Sequence, residues 1–584
     1  MLAGCAPVTD SRRREITRRE LLLVAGASLL LAVVMNWPLA VNLSDTIPKD
    51  LGDPLPQAWQ VAWGGHALQY QPFEFFQSNQ FWPLDDTLAF SDALLGYAPA
   101  GLIGEGTEAA VVRYDLLFLF AYALCFAGAY LLARELGLGP GGAAVAGAAY
   151  AFAPFRLEQD GHLHVISSGG IPLAFAAAVH GYRRRRPGWV LAGFLIAAWQ
   201  FSLGPTLGLP FTYLLCLIGA IAAVVWLRRG RPALDRGLVA ATAAGAAVYV
   251  VIAVVIALPY MRVADEQADA ERPPSTVEAF SGPLSVFATA PGENLVWGDA
   301  TEGIRDDLQN PQEKTLFPGL LILGFAIAGA VAPILPRRTR IALGAGVLGV
   351  SVLALGLQED DGLLWPYRVL YEALPGWDGM RTPGRLFTFA TLGLALLAGA
   401  GATALVRRAE RVSPAAPAAL GAVLALLIAI EGRTLPFDPT NELAQPPVPE
   451  APADVAAVPA PQLHLPATTA EDNRRYLLWS TDGFPDIVNG RSSVQPEYTD
   501  AVIAAMDTFP DPASVAFLRR EGIASVLLHT DRLIGSPQGL ALGRPISGLG
   551  LERTRLSQDV IAYEVLSESA SSPVTAGGPG PGDR

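Results

Sequence analysis

Residues 18–40 read RRELLLVAGASLLLAVVMNWPLA. From Leu21 to Ala40 the run is almost wholly apolar. As a helix it is long enough to cross a hydrocarbon layer of about 30 Å. Arg12, Arg13, Arg14, Arg18 and Arg19 lead into it. A basic head on an apolar run also describes a secretory signal, but no small-x-small cleavage site is evident and further apolar runs follow. The run therefore reads as a retained first span. Leu2-Ala3-Gly4-Cys5 spells the end of a lipoprotein signal, yet only Met1 and Leu2 precede it, too little for an apolar region; a chance match or a misplaced start codon is the plainer account.

Ten more apolar runs follow: Tyr114 to Ala133, Gly141 to Pro154, Ile166 to His180, Trp189 to Gln200, Thr206 to Leu227, Gly237 to Leu258, Leu316 to Leu335, Ile341 to Leu355, Leu386 to Val406 and Ala416 to Ile430. With the first arginines on the cytoplasmic side, the even-numbered loops hold Arg134; Arg183 to Arg186; Arg228, Arg229 and Arg231; Arg337, Arg338 and Arg340; and Arg407, Arg408 and Arg411. Basic loops on one side of the membrane are the positive-inside pattern. The expectation is a polytopic α-helical membrane protein of about eleven spans in a bacterial cytoplasmic membrane, N-terminus inside.

The composition agrees. Hydrophobic residues make up 51% of the 584 and charged residues 16%, with mean hydropathy +0.35. Soluble domains carry about 25% charged residues. Disorder is excluded for most of the chain, and the composition argues against a soluble multidomain enzyme. A net charge of -13 argues against a nucleic-acid partner. Three cysteines supply no disulfide framework or metal motif.

Five divisions follow: a cytoplasmic start (1–19), a transmembrane domain (20–435) with outer loops at 41–110, 259–315 and 356–385, a proline-rich linker (436–462), a small extracytoplasmic α/β domain (463–568) and a disordered tail (569–584). In the α/β domain, Tyr476 to Trp479 and Ala524 to His529 read as strands and Asp511 to Glu521 as a helix. Aromatics in the first outer loop, Trp59 and Trp63 among them, suit short helices at the membrane interface, and Trp365 and Trp377 suit interface anchors.

The spans themselves hold almost no charge. A transporter or flippase of a lipid-linked glycan usually places ionisable groups near mid-bilayer. Here they gather outside the spans, which favours chemistry at the outer face. A non-catalytic envelope-assembly scaffold is the third reading. In the first loop, Asp50 and Asp53 lie just past span one. Asp53 suits a general base on an acceptor hydroxyl, or a ligand for a divalent cation (magnesium or manganese) held against a phosphate, with Asp160 as its partner. The plain alternative is that Asp53 only caps the next helix. Between spans three and four come Arg156, Glu158, Asp160, His162 and His164. Arg156 has the fork geometry for a phosphate, while Glu158 or Asp160 suits a metal or the orientation of a base. Arg381 and Arg385, just before span ten, suit a clamp on phosphate or pyrophosphate. Packing or a helix start is the plain account of Glu313 and Lys314.

Several stretches carry a family resemblance. They are Gly52-Asp53-Pro54 with Trp59 and Trp63, Asn79-Gln-Phe-Trp-Pro83, Thr87-Leu-Ala-Phe-Ser91, Phe155-Arg156 with His162 and His164, Glu313-Lys-Thr-Leu-Phe-Pro-Gly319, Met380-Arg-Thr-Pro-Gly-Arg385 and Asp486-Ile-Val-Asn-Gly490. Through them the chain resembles YfhO-like polytopic membrane proteins within the GT-C glycosyltransferase superfamily. The resemblance covers most of residues 20–550. It implies an outward-facing enzyme that takes a sugar from a polyprenyl-phosphate donor and passes it to an envelope glycan, polymer or lipid. It implies an essential acid in the first outer loop, best matched by Asp53 with Asp50 competing, and acidic help from Asp160 or Glu158. Arg156, Arg381 or Arg385, with His162 and His164 nearby, would face the lipid phosphate.

Overall fold

The computed structural model describes residues 15–358, 365–409, 416–434 and 445–567. Cys5, Arg12 to Arg14, Glu359 to Asp361, Arg411, the start of the proline-rich linker and the tail from 569 lie outside the described residues.

Each of the eleven apolar runs contains a helix: Arg18–Met35, Gly106–Leu136, Pro140–Ala151, Gly170–Arg184, Pro187–Phe201, Pro205–Arg228, Arg236–Glu266, Leu320–Val331, Arg337–Ala354, Phe387–Ala409 and Ala416–Glu431. Sequence sets many of the starts. Pro140, Pro187 and Pro205 stand in the first helical turn, where a missing N–H costs nothing. Asp235 caps its helix by accepting from Leu238 N at 3.0 Å. Five stretches have the length and composition to cross a membrane: Gly106–Leu136, Leu163–Arg184, Pro205–Arg228, Arg236–Glu266 and Pro383–Ala409. The helices Pro140–Ala151 and Leu320–Val331 reach only about 18 Å at 1.5 Å per residue. Eleven is thus a count of apolar runs that contain a helix, while five stretches among the described residues are both long and apolar enough for a full crossing.

Small residues let the helices approach closely. Leu320–Val331 and Phe387–Ala409 meet where a Cβ on Gly329 would stand 1.9 Å from the Leu397 carbonyl oxygen, so only glycine fits. The helices Pro205–Arg228 and Arg236–Glu266 instead stand at the edge. Leu217, Ile218, Val250, Val251, Val254 and Val255 are exposed there, as a lipid-facing surface requires.

The helix Gly106–Leu136 marks two ends. At its C-terminal end, Arg134 pairs with Glu20 at 2.6 Å, and Arg184 pairs with Glu15 at 2.6 Å on the same side. At its N-terminal end lie the first loop and the α/β domain. The acidic and histidine-bearing loops therefore gather at one end and the arginine loops at the other.

The first loop corrects an expectation. It holds a 17-residue helix, Pro54–Tyr70, enclosed by protein rather than laid on a membrane surface. Trp59 and Trp63 are buried, and the Trp59 indole N–H donates to Asn79 Oδ1 at 3.0 Å. Trp377 is likewise buried, against Tyr213 and Tyr367, and is no interface anchor.

The C-terminal segment contains a four-stranded sheet: β1 (Gln462–Leu465), β2 (Ser525–His529), β3 (Leu551–Arg555) and β4 (Val560–Val565), in the order β1-β2-β4-β3. β1 and β2 run parallel, with Leu463 opposite Val526, and the other pairings are antiparallel. A parallel pair needs a crossover. Here it contains the helices Ala470–Trp479, Glu497–Met506 and Pro512–Arg520. Tyr476 to Trp479 is accordingly the last turn of a helix and not a strand. Its start is fixed by Thr469, whose hydroxyl accepts from Asp472 N at 3.1 Å.

Candidate functional site

At the loop end of the helices, ionisable groups form a chain across five segments. Asp53 begins the helix Pro54–Tyr70 but does not cap it; its side chain makes no capping bond, because the residue already has helical backbone angles (φ −64°, ψ −24°). The carboxylate is free to face His162 Nε2, 3.3 Å from its Oδ2, and Arg474 Nη2, 3.4 Å from its Oδ1. His162 Nε2 lies 3.9 Å from Glu313 Oε1. Glu313 accepts from Arg385 Nη2 at 2.5 Å and from Gln159 Nε2 at 3.2 Å. Arg385 Nη1 meets His164 Nε2 at 3.2 Å, which makes that nitrogen an acceptor. Asp92 Oδ2 stands 3.6 Å beyond, held by Thr206 N and Oγ1 at 2.9 and 2.8 Å.

Local sequence explains this convergence. Gln57 is one turn after Asp53 and shares its helix face. Its amide brackets the second loop, donating to the Gly161 carbonyl at 3.0 Å and accepting from Leu163 N at 2.6 Å. His162, between those two contacts, is thereby presented to Asp53. Gly384 does similar work for Arg385: a Cβ there would stand 2.5 Å from the Glu313 carbonyl oxygen, so only glycine lets this turn seat on Glu313.

The electrostatics follow from the neighbours. Burial raises the Asp53 pKa, but the hydrogen bond and charge of His162, then the charges of Arg474 and Arg385, outweigh it and hold the carboxyl well below the usual range. Glu313 is buried too, yet the Arg385 charge, the His162 charge and the hydrogen bonds from Arg385 and Gln159 bring it down to about 2. Both carboxylates are ionised at neutral pH.

The other sequence-derived candidates have different surroundings. Asp50 closes a turn by accepting from Gly52 N at 2.7 Å. Arg156 is 2% exposed and turned inward. It donates to Ser168 Oγ at 3.1 Å and the Ile166 carbonyl at 2.7 Å, and lies over the Tyr122 and Tyr150 rings. These contacts make it a prop for the second loop rather than an open phosphate fork. Arg381 is half-buried over the Phe280 ring, 5.4 Å from its centroid, with no hydrogen bond or ion pair among the described residues. Glu158 is half-buried, and burial raises it to about 8 despite the Lys49 charge.

Asp160 accepts from the Tyr122 hydroxyl. Burial pushes its pKa up to about 7, against the lowering effect of the Tyr122 bond and of Lys49. A carboxyl whose folded pKa stands above its unfolded value of about 4 stabilises the fold below that value and loses the contribution as pH rises through about 7. Asp160→Asn is therefore expected to gain stability over wild type between pH 6 and pH 8, read as unfolding midpoints of the purified protein. Equal pH dependence in both proteins would refute this.

The paired-aspartate metal site does not fit this geometry. Asp160 faces Tyr122, while Asp53 faces His162 and Arg474. Among the described residues no group of three or more His, Cys, Asp and Glu side chains is placed to hold a metal ion.

Glu313, Arg474 and Asp92 were not among the residues that the sequence singles out for this site. Glu313 precedes a span and reads as packing, though its place one residue before a lysine in an outer loop set it beside other polar groups. Arg474 lies some four hundred positions after Asp53 and offers no local signal.

No protein-family model matches the chain, and no curated protein matches it. Solved structures do. The fold is similar to that of the arabinofuranosyltransferase AftD from mycobacteria, with TM-score 0.54 and 16% identity over 95% of this chain and 40% of that one. A mutant form of the same enzyme gives 0.55 and 16%, over 95% and 42%. The oligosaccharyltransferase of Archaeoglobus fulgidus in its apo form gives 0.49 and 14%, over 90% and 71%. The chain spans less than half the length of the arabinofuranosyltransferase. At such identities the likeness is one of fold alone.

Proposed function

We propose that the protein transfers a sugar from a polyprenyl-phosphate donor to an envelope glycan, polymer or lipid acceptor at the outer face of a bacterial cytoplasmic membrane, as a YfhO-like member of the GT-C superfamily. One observation carries the reading: an uncapped, half-exposed Asp53, 49% accessible at its side chain, stands among cations at the loop end of the helices.

An acceptor hydroxyl hydrogen-bonds to the Asp53 carboxylate and gives up its proton as its oxygen attacks the anomeric carbon. The bond from that carbon to the phosphate oxygen breaks, and the lipid phosphate leaves with one more negative charge. Arg381, which has no ion pair among the described residues, and the His164–Arg385 pair face that charge and stabilise it. A single displacement inverts the anomeric centre. His162 orients Asp53, and Glu313 orients His162 and Arg385 together. Purified full-length protein in nanodiscs, given polyprenyl-phosphate sugars and envelope acceptors, should release polyprenyl phosphate only when donor and acceptor are both present. Donor translocated across the bilayer without release would favour a flippase instead.

A further inference from the structure

One arginine of the α/β domain, Arg474, stands at the site, and a second, Arg491, lies on the segment that seats the domain. The domain is seated on the first loop by backbone pairing. Trp82 N donates to the Ile487 carbonyl at 3.0 Å, Phe81 N to the Asn489 carbonyl at 3.1 Å, and Ile487 N to the Asn79 carbonyl at 2.7 Å. Asn489 Nδ2 then donates to Asn473 Oδ1 at 2.9 Å, tying the helix Ala470–Trp479 to the same seat. Arg474 directly follows Asn473, and Arg491 lies two residues past Asn489.

A guanidinium carries five N–H donors. Arg474 directs one nitrogen to Asp53, and its Nε is buried with no partner. Arg491 is half-buried and makes no hydrogen bond or ion pair among the described residues. Half-buried donors without acceptors are costly unless something else satisfies them. The two charges also act on each other: burial and then the Arg474 charge lower the Arg491 pKa. Arg385, on the membrane-helix side, is by contrast neutralised by Glu313. On the α/β-domain side, Arg474 therefore places positive charge next to Asp53 Oδ1, the oxygen not facing His162.

We propose that Arg474 and Arg491 form an acceptor subsite for an anionic group, a phosphate or carboxylate, borne next to the hydroxyl that Asp53 activates. The proposal rests on the reading of this site as a glycosyl-transfer site. It also supplies a coupling. An anion on Arg474 draws that guanidinium away from Asp53 Oδ1, and loss of a neighbouring positive charge raises the proton affinity of the carboxylate. The base then strengthens when the correct acceptor arrives.

The test is binding by isothermal titration to the full-length protein in phosphatidylcholine nanodiscs, with glycerol 3-phosphate and glycerol as probes. Wild type should bind glycerol 3-phosphate at least tenfold more tightly than glycerol. R474Q/R491Q should lose that preference at an unchanged melting temperature, and R474K/R491K should recover part of it. D53N should bind glycerol 3-phosphate more tightly, because Arg474 is released. Competition from phosphatidylglycerol discs in wild type but not in R474Q/R491Q assigns the anion to a lipid headgroup; its absence assigns it to a soluble or polymeric acceptor. Unchanged preference in R474Q/R491Q, or a preference lost in R381Q alone, overturns the subsite. If the protein transfers no sugar and the binding preference stands, the functional reading fails while the subsite survives. If transfer occurs and the preference is absent, the subsite alone fails.

Discussion

Asp53→Asn is expected to lower sugar transfer by about 10²- to 10⁴-fold, the usual effect of removing a positioned general base. The fold should survive. The side chain makes no capping bond, Pro54 begins the helix whether or not residue 53 is charged, and the carboxylate is half-exposed. The change removes the contacts to His162 and Arg474. In cells lacking the protein, the missing envelope sugar should return with wild type and not with D53N. Asp50→Asn is the control. Its oxygen accepts from Gly52 N in a turn, a bond an asparagine side chain also makes, so transfer should stay within a few-fold. Restoration of the sugar by D53N ends the assignment of Asp53 as base, and loss confined to D50N moves the base to that residue. The pH profile adds a sign. Because His162, Arg474 and Arg385 hold the Asp53 pKa well below the usual range, the base stays ionised from pH 7 to pH 5, and transfer should not fall across that interval through this group.

The order of helices and the gathering of acidic loops at one end were legible because each rests on local composition. Apolar runs bounded by arginines are visible without tertiary information, and alternation along the chain does the rest. Asp53, His162, His164 and Arg385 could be grouped because they fall in loops that alternation assigns to one side. Depth was not legible. Arg156 and Arg385 look alike in sequence, each an arginine beside an apolar run, yet one props a loop from within and the other pairs with Glu313. Burial of Trp59 and Trp63 under the α/β domain depends on a domain four hundred residues away, so they read as interfacial.

The strand assigned to Tyr476 to Trp479 failed for a related reason. All four residues are buried, since the last turn of their helix lies between the first-loop helix and the sheet, and a run buried on every side has no period to read. The preceding Thr469-x-x-Asp472 cap carried the better signal. Read as a helix start, it makes residues 470–479 a helix and puts Arg474 on a rigid element. The sequence would still not have said that the element faces Asp53.

Glu313 and Arg385 carry the second large effect, on stability as well as transfer. Their side chains are 8% and 9% exposed and 2.5 Å apart. Removing one member of such a pair leaves a buried charge without its counter-ion, at a cost of about 3–5 kcal/mol. Here the orphan would be Arg385 beside His164, or Glu313 beside His162. Glu313→Gln and Arg385→Gln should each lower the unfolding midpoint sharply in detergent-solubilised protein. The double variant should lose much less than the sum, because no orphan charge remains. It should still transfer sugar poorly if Arg385 faces the departing phosphate as proposed. The pH dependence follows from the depressed carboxyl: Glu313 contributes stability above about pH 4.5, and the contribution is lost as pH falls toward about 2. R385Q should flatten that acid limb. Strictly additive single variants would mean that the two charges do not sustain each other, and the organisation of the site around Glu313 would fall with them.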